Sequence, residues 1–198
     1  MGSVLEMLAG QMNPAMVEQI GRAIGSDRRQ TGLAIGQALP LLMGALSQNA
    51  SRPEGADALL GALNRDHDGS ILDDIGGFLG QASAGPGEGI LKHVLGSRRP
   101  QVEQNLGQSL KMDPAMIAKL MTILGPIVLG ALGRAKREQS MDANGLSQML
   151  GQERQRFETR DKASIGLLGG LLDSDQDGDV DAGDLAKAGL GLVSKFLR

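Results

Sequence analysis

The longest apolar stretch of the chain, residues 120–133, reads Leu-Met-Thr-Ile-Leu-Gly-Pro-Ile-Val-Leu-Gly-Ala-Leu-Gly. It follows Asp113-Pro114, which places a capping side chain before a proline at the first helical position. A helix is therefore expected from residue 114 to about residue 136. The stretch covers about two-thirds of the roughly 20 apolar residues that a membrane-spanning helix needs, and Pro126 interrupts it. The sequence thus predicts a buried helix and no membrane span.

A shorter stretch in the first half of the chain repeats part of this pattern. Pro40-Leu-Leu-Met-Gly-Ala-Leu46 matches residues 126–132 in frame, with proline at the start and Gly-Ala-Leu at the end. Upstream, residues 24–29 resemble residues 95–99 in an Ile/Leu-Gly-Ser segment followed by two arginines. In this alignment the second copy carries about four extra helical turns.

These matches predict an internal duplication of residues 13–80 and 89–151. Residues 57–63 also resemble residues 143–150, downstream of the two prolines. Gln-Ala-Ser-Ala-Gly-Pro-Gly-Glu-Gly, residues 81–89, contains small and polar residues around a proline and is predicted to be a linker. The alternative is that helices rich in Leu, Gly and Ala resemble one another by composition alone.

Apolar residues recur at helical spacing along nearly the whole chain, and alternating β-branched runs are missing from the sequence. The sequence predicts an all-α multihelical bundle with two related halves, residues 1–160, followed by an EF-hand-like helix-loop-helix, residues 161–198. We expect helices at residues 3–10, 14–24, 27–48, 56–63, 71–79, 89–95, 99–110, 114–136, 143–160, 163–172 and 182–197.

The composition excludes several classes of functional site. The chain of 198 residues has 30 Gly, three Phe, two His, and no Trp, Tyr or Cys, at a net charge of −3. Without cysteine it has no disulfide, thiolate metal site or cysteine nucleophile. The negative charge argues against nucleic acid as the main partner. The N-terminus shows no basic segment followed by an apolar one, so no secretory signal is expected.

The sequence motif that predicts a binding site lies near the C-terminus. Residues 173–184 read Asp-Ser-Asp-Gln-Asp-Gly-Asp-Val-Asp-Ala-Gly-Asp, which places oxygen ligands, a glycine and an apolar residue where the twelve-position EF-hand loop requires them. The crowded carboxylates repel one another unless a cation neutralises them. The predicted metal ligands are Asp173, Asp175, Asp177, Asp179 (through its backbone carbonyl), Asp181 and Asp184.

The last ligand position departs from the usual pattern. Asp184 stands where a longer Glu usually binds calcium with both carboxylate oxygens. The shorter side chain predicts weaker calcium affinity and poorer discrimination against magnesium. An acidic surface turn that binds nothing is the alternative.

A second loop, residues 64–75, begins in the same way. Asn64, Asp66 and Asp68 match the first three ligand positions, but Leu72 and Ile75 occupy positions 9 and 12. The favoured interpretation is a turn into a helix, with Ser70 as N-cap and Asp73 completing a capping box. The alternative is a degenerate second ion site at Asp66 and Asp68.

Other candidates for function are weaker. His67 is expected to be exposed and His93 to be structural, and the arginine pairs at 28–29 and 98–99 are expected on helix surfaces, although they could contact phosphate. The sequence contains no phosphate-binding loop, nucleophile elbow or zinc-protease motif. Nothing in the sequence supports an enzyme.

Three stretches carry a resemblance to a known family: residues 37–46 (Gln-Ala-Leu-Pro-Leu-Leu-Met-Gly-Ala-Leu), 66–74 (Asp-His-Asp-Gly-Ser-Ile-Leu-Asp-Asp) and 89–96 (Gly-Ile-Leu-Lys-His-Val-Leu-Gly). Over residues 1–150 the chain resembles the bacterial domain-of-unknown-function 937 group (DUF937), also called YidB-like. The resemblance implies an all-α, multihelical, cytoplasmic protein, and it implies no activity. The acidic loop at residues 173–184 lies outside that region.

Together these patterns predict a non-enzymatic helical protein that binds Ca²⁺, or Mg²⁺, in its C-terminal hand. Its helical body is expected to form a homo-oligomer or to bind a protein partner. The alternatives are a structural assembly protein in which metal is incidental, and a nucleic-acid-associated protein.

Overall fold

The computed structural model of the protein describes residues 3–81 and 87–160, and these residues are helical, without β-strands. The prediction of an all-α fold is confirmed. The α-helices are α1 (Val4–Gln11), α2 (Pro14–Ile24), α3 (Arg28–Ala50), α4 (Pro53–Arg65), α5 (Ile75–Gln81), α6 (Gly87–Leu95), α7 (Arg99–Leu110), α8 (Pro114–Glu138) and α9 (Ala143–Arg160). The described residues also form the 3₁₀ turns η1 (Ser70–Asp73) and η2 (Gly96–Arg98).

Several helix starts lie where short polar side chains cap them. The Asn13 side chain accepts a hydrogen bond from the Met16 amide at 2.9 Å. The Asp113 side chain accepts one from the Ala115 amide at 2.8 Å. In both helices proline follows the cap directly, where its missing N–H removes no helical bond. The predicted starts of α2 and α8 are confirmed.

The predicted helix at residues 71–79 is wrong in one respect, because it is two elements. Ser70–Asp73 forms η1, and Asp74 leaves the helical conformation before α5 begins at Ile75. The Asp74 carboxylate accepts a hydrogen bond from the Gly77 amide at 2.8 Å. A capping side chain in the middle of the segment starts a new helix there.

The predicted linker at residues 81–89 is also wrong at its ends. Gln81 is the last residue of α5, and residues 87–89 form the first turn of α6. A Cβ placed on Gly87 would lie 2.1 Å from the Thr122 carbonyl oxygen. Gly87 is thus packed against α8, which holds this end of the segment in a helix. The middle of the predicted linker, residues 82–86, lies outside the described residues.

Helix α8 is the centre of the helical body. It contacts α1, α2, α3, α4, α6, α7 and η1, and every residue from Ile123 to Gly133 is buried. It is the one helix in the described part of the chain that is long and apolar enough to cross a membrane, but 72% of its most apolar window is buried inside the protein. Burial of this kind is typical of a core helix, as the sequence predicts.

The helix pair α2–α3 shares several local features with the pair α7–α8, always 86 residues apart. Gly25 and Lys111 end α2 and α7 in the left-handed conformation, with φ of 84° and 54°. Asp27 and Asp113 then cap α3 and α8, and Pro40 and Pro126 lie inside those helices. The amides of Ser26 and Met112 each donate to the carbonyl five residues earlier, both at 2.8 Å.

The chain divides into two compact units, Met1–Arg154 and Gln155–Arg198. In the first unit, Ser3 accepts the Leu5 amide as N-cap of α1 and also donates its hydroxyl to the Glu153 carboxylate at 2.5 Å. Glu153 is only 4% exposed, so this hydrogen bond ties α1 to α9 inside the unit. Of the second unit, the structure describes the end of α9, residues 155–160.

Candidate metal sites

The six predicted aspartate ligands of the C-terminal loop lie outside the described residues, as do the two helices predicted to flank that loop. Within residues 3–81 and 87–160, no group of three or more His, Asp or Glu side chains is close enough to hold a metal ion. The loop with an EF-hand-like beginning that the structure does describe is Asn64–Ile75.

This loop turns at Gly69, whose φ of 97° favours glycine. The Asp68 carboxylate accepts a hydrogen bond from the Ser70 amide at 3.0 Å. The prediction of a Ser70–Asp73 capping box is therefore wrong. Residue 69, and not Ser70, is the N-cap of η1, and an aspartate two residues before the amide takes the hydrogen bond that a serine cap would have taken.

Cationic side chains from the last turns of α8 contact the polar groups of the loop. Lys136 Nζ donates to the Asn64 side-chain oxygen at 2.6 Å. Arg134 donates to the Gly69 carbonyl at 3.0 Å and forms an ion pair with Asp73. Asn64, the residue at the first ligand position of the loop, is thus engaged within the chain.

The remaining carboxylates of the loop are paired more loosely. Asp68 lies 3.6 Å from a guanidinium nitrogen of Arg137, and Asp66 lies 3.7 Å from that of its neighbour Arg65. All four of these side chains are more than half exposed. Asp66 and Asp68, the candidates for a degenerate second site, therefore face cationic side chains of the same chain.

The loop packs against α8 at two glycines. A Cβ on Gly133 would lie 1.8 Å from the His67 carbonyl oxygen, and one on Gly130 would lie 2.3 Å from Ile71 Cγ2. Backbone can approach backbone this closely only where a side chain is missing. The glycines therefore bring the loop within reach of the cations at the end of α8.

Two ionisable groups of the loop have shifted pKa values. Burial lowers the pKa of His67 below its ordinary value of 6.5, against the opposing effect of Asp66. The hydrogen bonds from Ser70, helped by Arg137, lower the pKa of Asp68. His67 was expected to be exposed, and the structure leaves its side chain only partly exposed, with its backbone against Gly133.

The family of the chain follows from its sequence match. The model of a family described as bacterial protein of unknown function (DUF937) matches residues 6–135, about two-thirds of the chain. The chain belongs to this family. No curated protein and no solved structure matches it. The matched region runs from α1 into α8 and includes the loop Asn64–Ile75, while the acidic loop at residues 173–184 lies beyond it.

One of the two arginine pairs in this DUF937 protein is engaged inside the chain. Arg99 forms two hydrogen bonds with Glu88, at 2.7 and 2.9 Å, and one with Glu103 at 2.6 Å. These carboxylates, Glu88 foremost, raise the pKa of Arg99. Arg98 donates to the Gln48 side-chain oxygen at 2.9 Å. Of the four arginines, these two hold α6, α7 and α3 together.

The cationic end of α8 is the feature that sequence reasoning missed. Arg134, Lys136 and Arg137 are visible in the sequence as basic residues in the last turns of a helix, a common preference near a helix C-terminus. Their partners in the loop are 61 to 72 residues away in the chain. Nothing local in the sequence indicates that pairing.

Proposed function

We propose that this protein is a non-enzymatic, cytoplasmic calcium-binding protein whose helical body mediates self-association or partner binding. The observation that carries the calcium proposal is the series Asp173, Asp175, Asp177, Gly178 and Val180 at the positions of an EF-hand loop. A chain of this family thus carries, beyond the matched region, a loop whose carboxylates call for a divalent cation.

Comparison with the loop Asn64–Ile75 supports residues 173–184 as the calcium site. In Asn64–Ile75, positions 9 and 12 are leucine and isoleucine, and α8 supplies cationic partners to Asn64 and Asp68. In the C-terminal loop, Asp181 and Asp184 stand at those two positions. More carboxylate oxygens strengthen binding of a hard cation such as calcium, so the ion is assigned to residues 173–184.

Calorimetric titration with calcium tests this assignment. The full-length protein is expected to bind one ion, and the Asp173→Ala/Asp175→Ala variant is expected to show no binding heat. Asp66→Ala is the matched control, since Asp66 holds the equivalent position 3 in the first loop and is exposed; it should bind as the unchanged protein does. Equal heats from all three proteins would overturn the proposal. Competition with magnesium measures the selectivity that Asp184 is expected to weaken.

We also propose that residues 3–50 and 89–136 are equivalent halves, related by a constant spacing of 86 residues. The left-handed residues, the aspartate caps and the helix prolines described above all obey this spacing. The sequence supports it in a further place, where Val-Leu at residues 4–5 in α1 corresponds to Ile-Leu at residues 90–91 in α6. This alignment needs no extra helical turns and replaces the earlier match of residues 24–29 with 95–99.

Pairwise contacts across the helices agree with such an arrangement. A Cβ placed on Gly25 would lie 4.0 Å from Met116 Cε. Gly25 corresponds to Lys111 in the other half, and Met116 corresponds to Gln30. These two residues are also in contact, because the Gln30 side-chain amide donates a hydrogen bond to the Lys111 carbonyl at 3.5 Å. Reciprocal contacts of this type are the signature of a two-fold relation between equivalent elements.

The alternative function is that of a structural assembly protein in which metal is incidental. It is favoured by an exposed face of α3, which carries Leu33 at 57% exposure. Light scattering with and without a chelator separates the two: dissociation on chelation supports a calcium-dependent assembly, and an unchanged mass supports the alternative.

A further inference from the structure

The buried face of α9 ends on a carboxylate. Leu146, Leu150 and Glu153 lie three or four residues apart on one side of the helix, and none of them is more than 4% exposed. The next three residues, 154–156, are exposed, and the first compact unit ends at Arg154. Glu153 is therefore the last buried residue of α9 before the boundary between the two units.

The hydroxyl that binds Glu153 belongs to the residue that starts α1. Ser3 is buried and donates its hydroxyl to Glu153, which lies 150 residues further along the chain. The same hydroxyl oxygen accepts the Leu5 amide at 3.1 Å, and the Ser3 amide donates to the Glu6 carboxylate at 3.0 Å. A hydroxyl has one proton to donate. Ser3 thus gives its proton to α9 and caps α1 with a lone pair.

Helix α1 depends on contacts with the rest of the first unit. It has eight residues, and its buried apolar side chains are Val4 and Leu8. Isolated helices of this length are marginal in water. The packing of α1 against α8 and the hydrogen bond from Ser3 to Glu153 therefore both contribute to keeping α1 folded.

Loss of this hydrogen bond affects both helices. A buried carboxylate is destabilising unless hydrogen bonds replace the water that it loses. If α1 moves away, Glu153 loses the Ser3 hydroxyl and the positive end of the α1 dipole, so its charge is better placed in water than in the core. Because Glu153 shares the buried face of α9 with Leu150, its movement toward water loosens that turn of α9.

We propose that Ser3 and Glu153 form a clasp (the α1–α9 clasp) through which α1 and the last buried turn of α9 open and close together. Local opening usually involves one contiguous cooperative segment, whereas the clasp joins two segments from opposite ends of the described chain. A partner or a modification that displaces α1 then frees residues 151–156, which lead into the unit that carries the predicted calcium ligands. This consequence for calcium rests on the function proposed above, and the clasp itself does not.

Amide hydrogen exchange of the full-length protein in the presence of a chelator tests the clasp. Ser3→Asp keeps a capping side chain for α1 but sets a second carboxylate against Glu153 in place of the donor. The amides of residues 151–156 are expected to exchange at least about tenfold faster, as for a lost hydrogen bond to a charged group. Ser3→Thr keeps the hydroxyl and should leave these rates unchanged. Asn13→Ala, which removes the cap of α2 instead, is the matched control and should also leave them unchanged.

The reciprocal variant gives a second measurement. Glu153→Ala removes the acceptor from α9 and leaves the cap of α1 in place, so the amides of residues 7–11 are expected to exchange faster by a similar factor. Unchanged exchange of residues 151–156 in Ser3→Asp, or of residues 7–11 in Glu153→Ala, would overturn the clasp.

The calorimetric titration keeps the two proposals separate. Coupled exchange of α1 and α9 in a protein that gives no calcium heat would overturn the proposed function and leave the clasp standing. Uncoupled exchange in a protein that binds calcium as expected would overturn the clasp alone.

Discussion

Helices α3 and α8 begin and continue alike, yet they are buried to different extents. Each starts after an aspartate cap and runs through a proline into Gly-Ala-Leu. In α8 the glycines that follow the proline lie under the loop Asn64–Ile75, while in α3 no neighbouring atom of the described residues lies within 4 Å of a Cβ placed on Gly44. The difference shows that the same local sequence is a core element or a surface element according to which segment folds over it.

The largest expected effect comes from adding a methyl group where α8 is most tightly covered. Gly133→Ala should lower the free energy of unfolding by more than about 3 kcal/mol, because its Cβ would overlap the His67 carbonyl and the backbone must shift. Urea denaturation measures the change. Gly151→Ala in α9, where no atom of the described residues lies within 4 Å of the added group, is the control. A loss as small as that of the control would mean that the loop is not held against α8.

Next in size is a pair of glycine substitutions with opposite expected effects on the free energy of unfolding. Gly130→Ala is expected to cost about 1–2 kcal/mol, since Ile71 must change its rotamer to make room. Gly44→Ala, 86 residues earlier, is expected to stabilise the helix by about 0.5–1 kcal/mol, as alanine replaces an uncovered helical glycine. Thermal unfolding in dilute protein tests both. An equal loss of stability at the two positions would contradict the difference in coverage between α8 and α3.

A smaller effect distinguishes the cations that hold the loop to α8. Arg134→Ala should cost about 1–2 kcal/mol, because a partly buried guanidinium serves both the Gly69 carbonyl and Asp73. Arg137→Ala should cost under about 0.5 kcal/mol, since its contact with Asp68 is 3.6 Å long and exposed. Chemical denaturation of both variants measures this ranking, and the reverse order would contradict it.

The smallest expected effect is a pH dependence from the same loop. The folded protein lowers the pKa of His67 below 6.5, so it prefers the neutral imidazole that is present above that pH. Stability should therefore fall as the pH drops from 6.5 toward the folded pKa, because the unfolded chain binds the proton first. His67→Asn should remove this slope. The loss linked to Asp68 belongs to a separate window below pH 3.8, since the folded state favours its ionised form.

The pH profiles of the two proteins settle the origin of the slope. Thermal unfolding of the His67→Asn variant and the unchanged protein is compared between pH 7 and pH 5. If both proteins show the same slope across this window, the imidazole of His67 is not the group responsible.

Sequence reasoning was sufficient where the decisive contacts are local. The caps at Asn13 and Asp113 act on amides two or three residues away, and the apolar periodicity of α8 is a property of consecutive residues. The family match also confirms the resemblance to DUF937 that three short stretches indicated. The linker end at residues 87–89 was assigned wrongly because it depends on packing against Thr122, which is distant in the chain. The capping box at Ser70 failed over a local choice, because the Asp68 carboxylate and not the Ser70 side chain accepts the hydrogen bond that starts the turn.

By itself the sequence determined that the protein is helical, where its long helices begin, and that twelve residues near its C-terminus have the pattern of a calcium loop. Only the tertiary structure decided that α8 is enclosed while the described residues leave one face of α3 uncovered, and that Arg134, Lys136 and Arg137 of α8 bind polar groups of the loop Asn64–Ile75. The physical reason is range: helix formation follows from interactions over about four residues, whereas burial and charge pairing here join residues more than 60 positions apart.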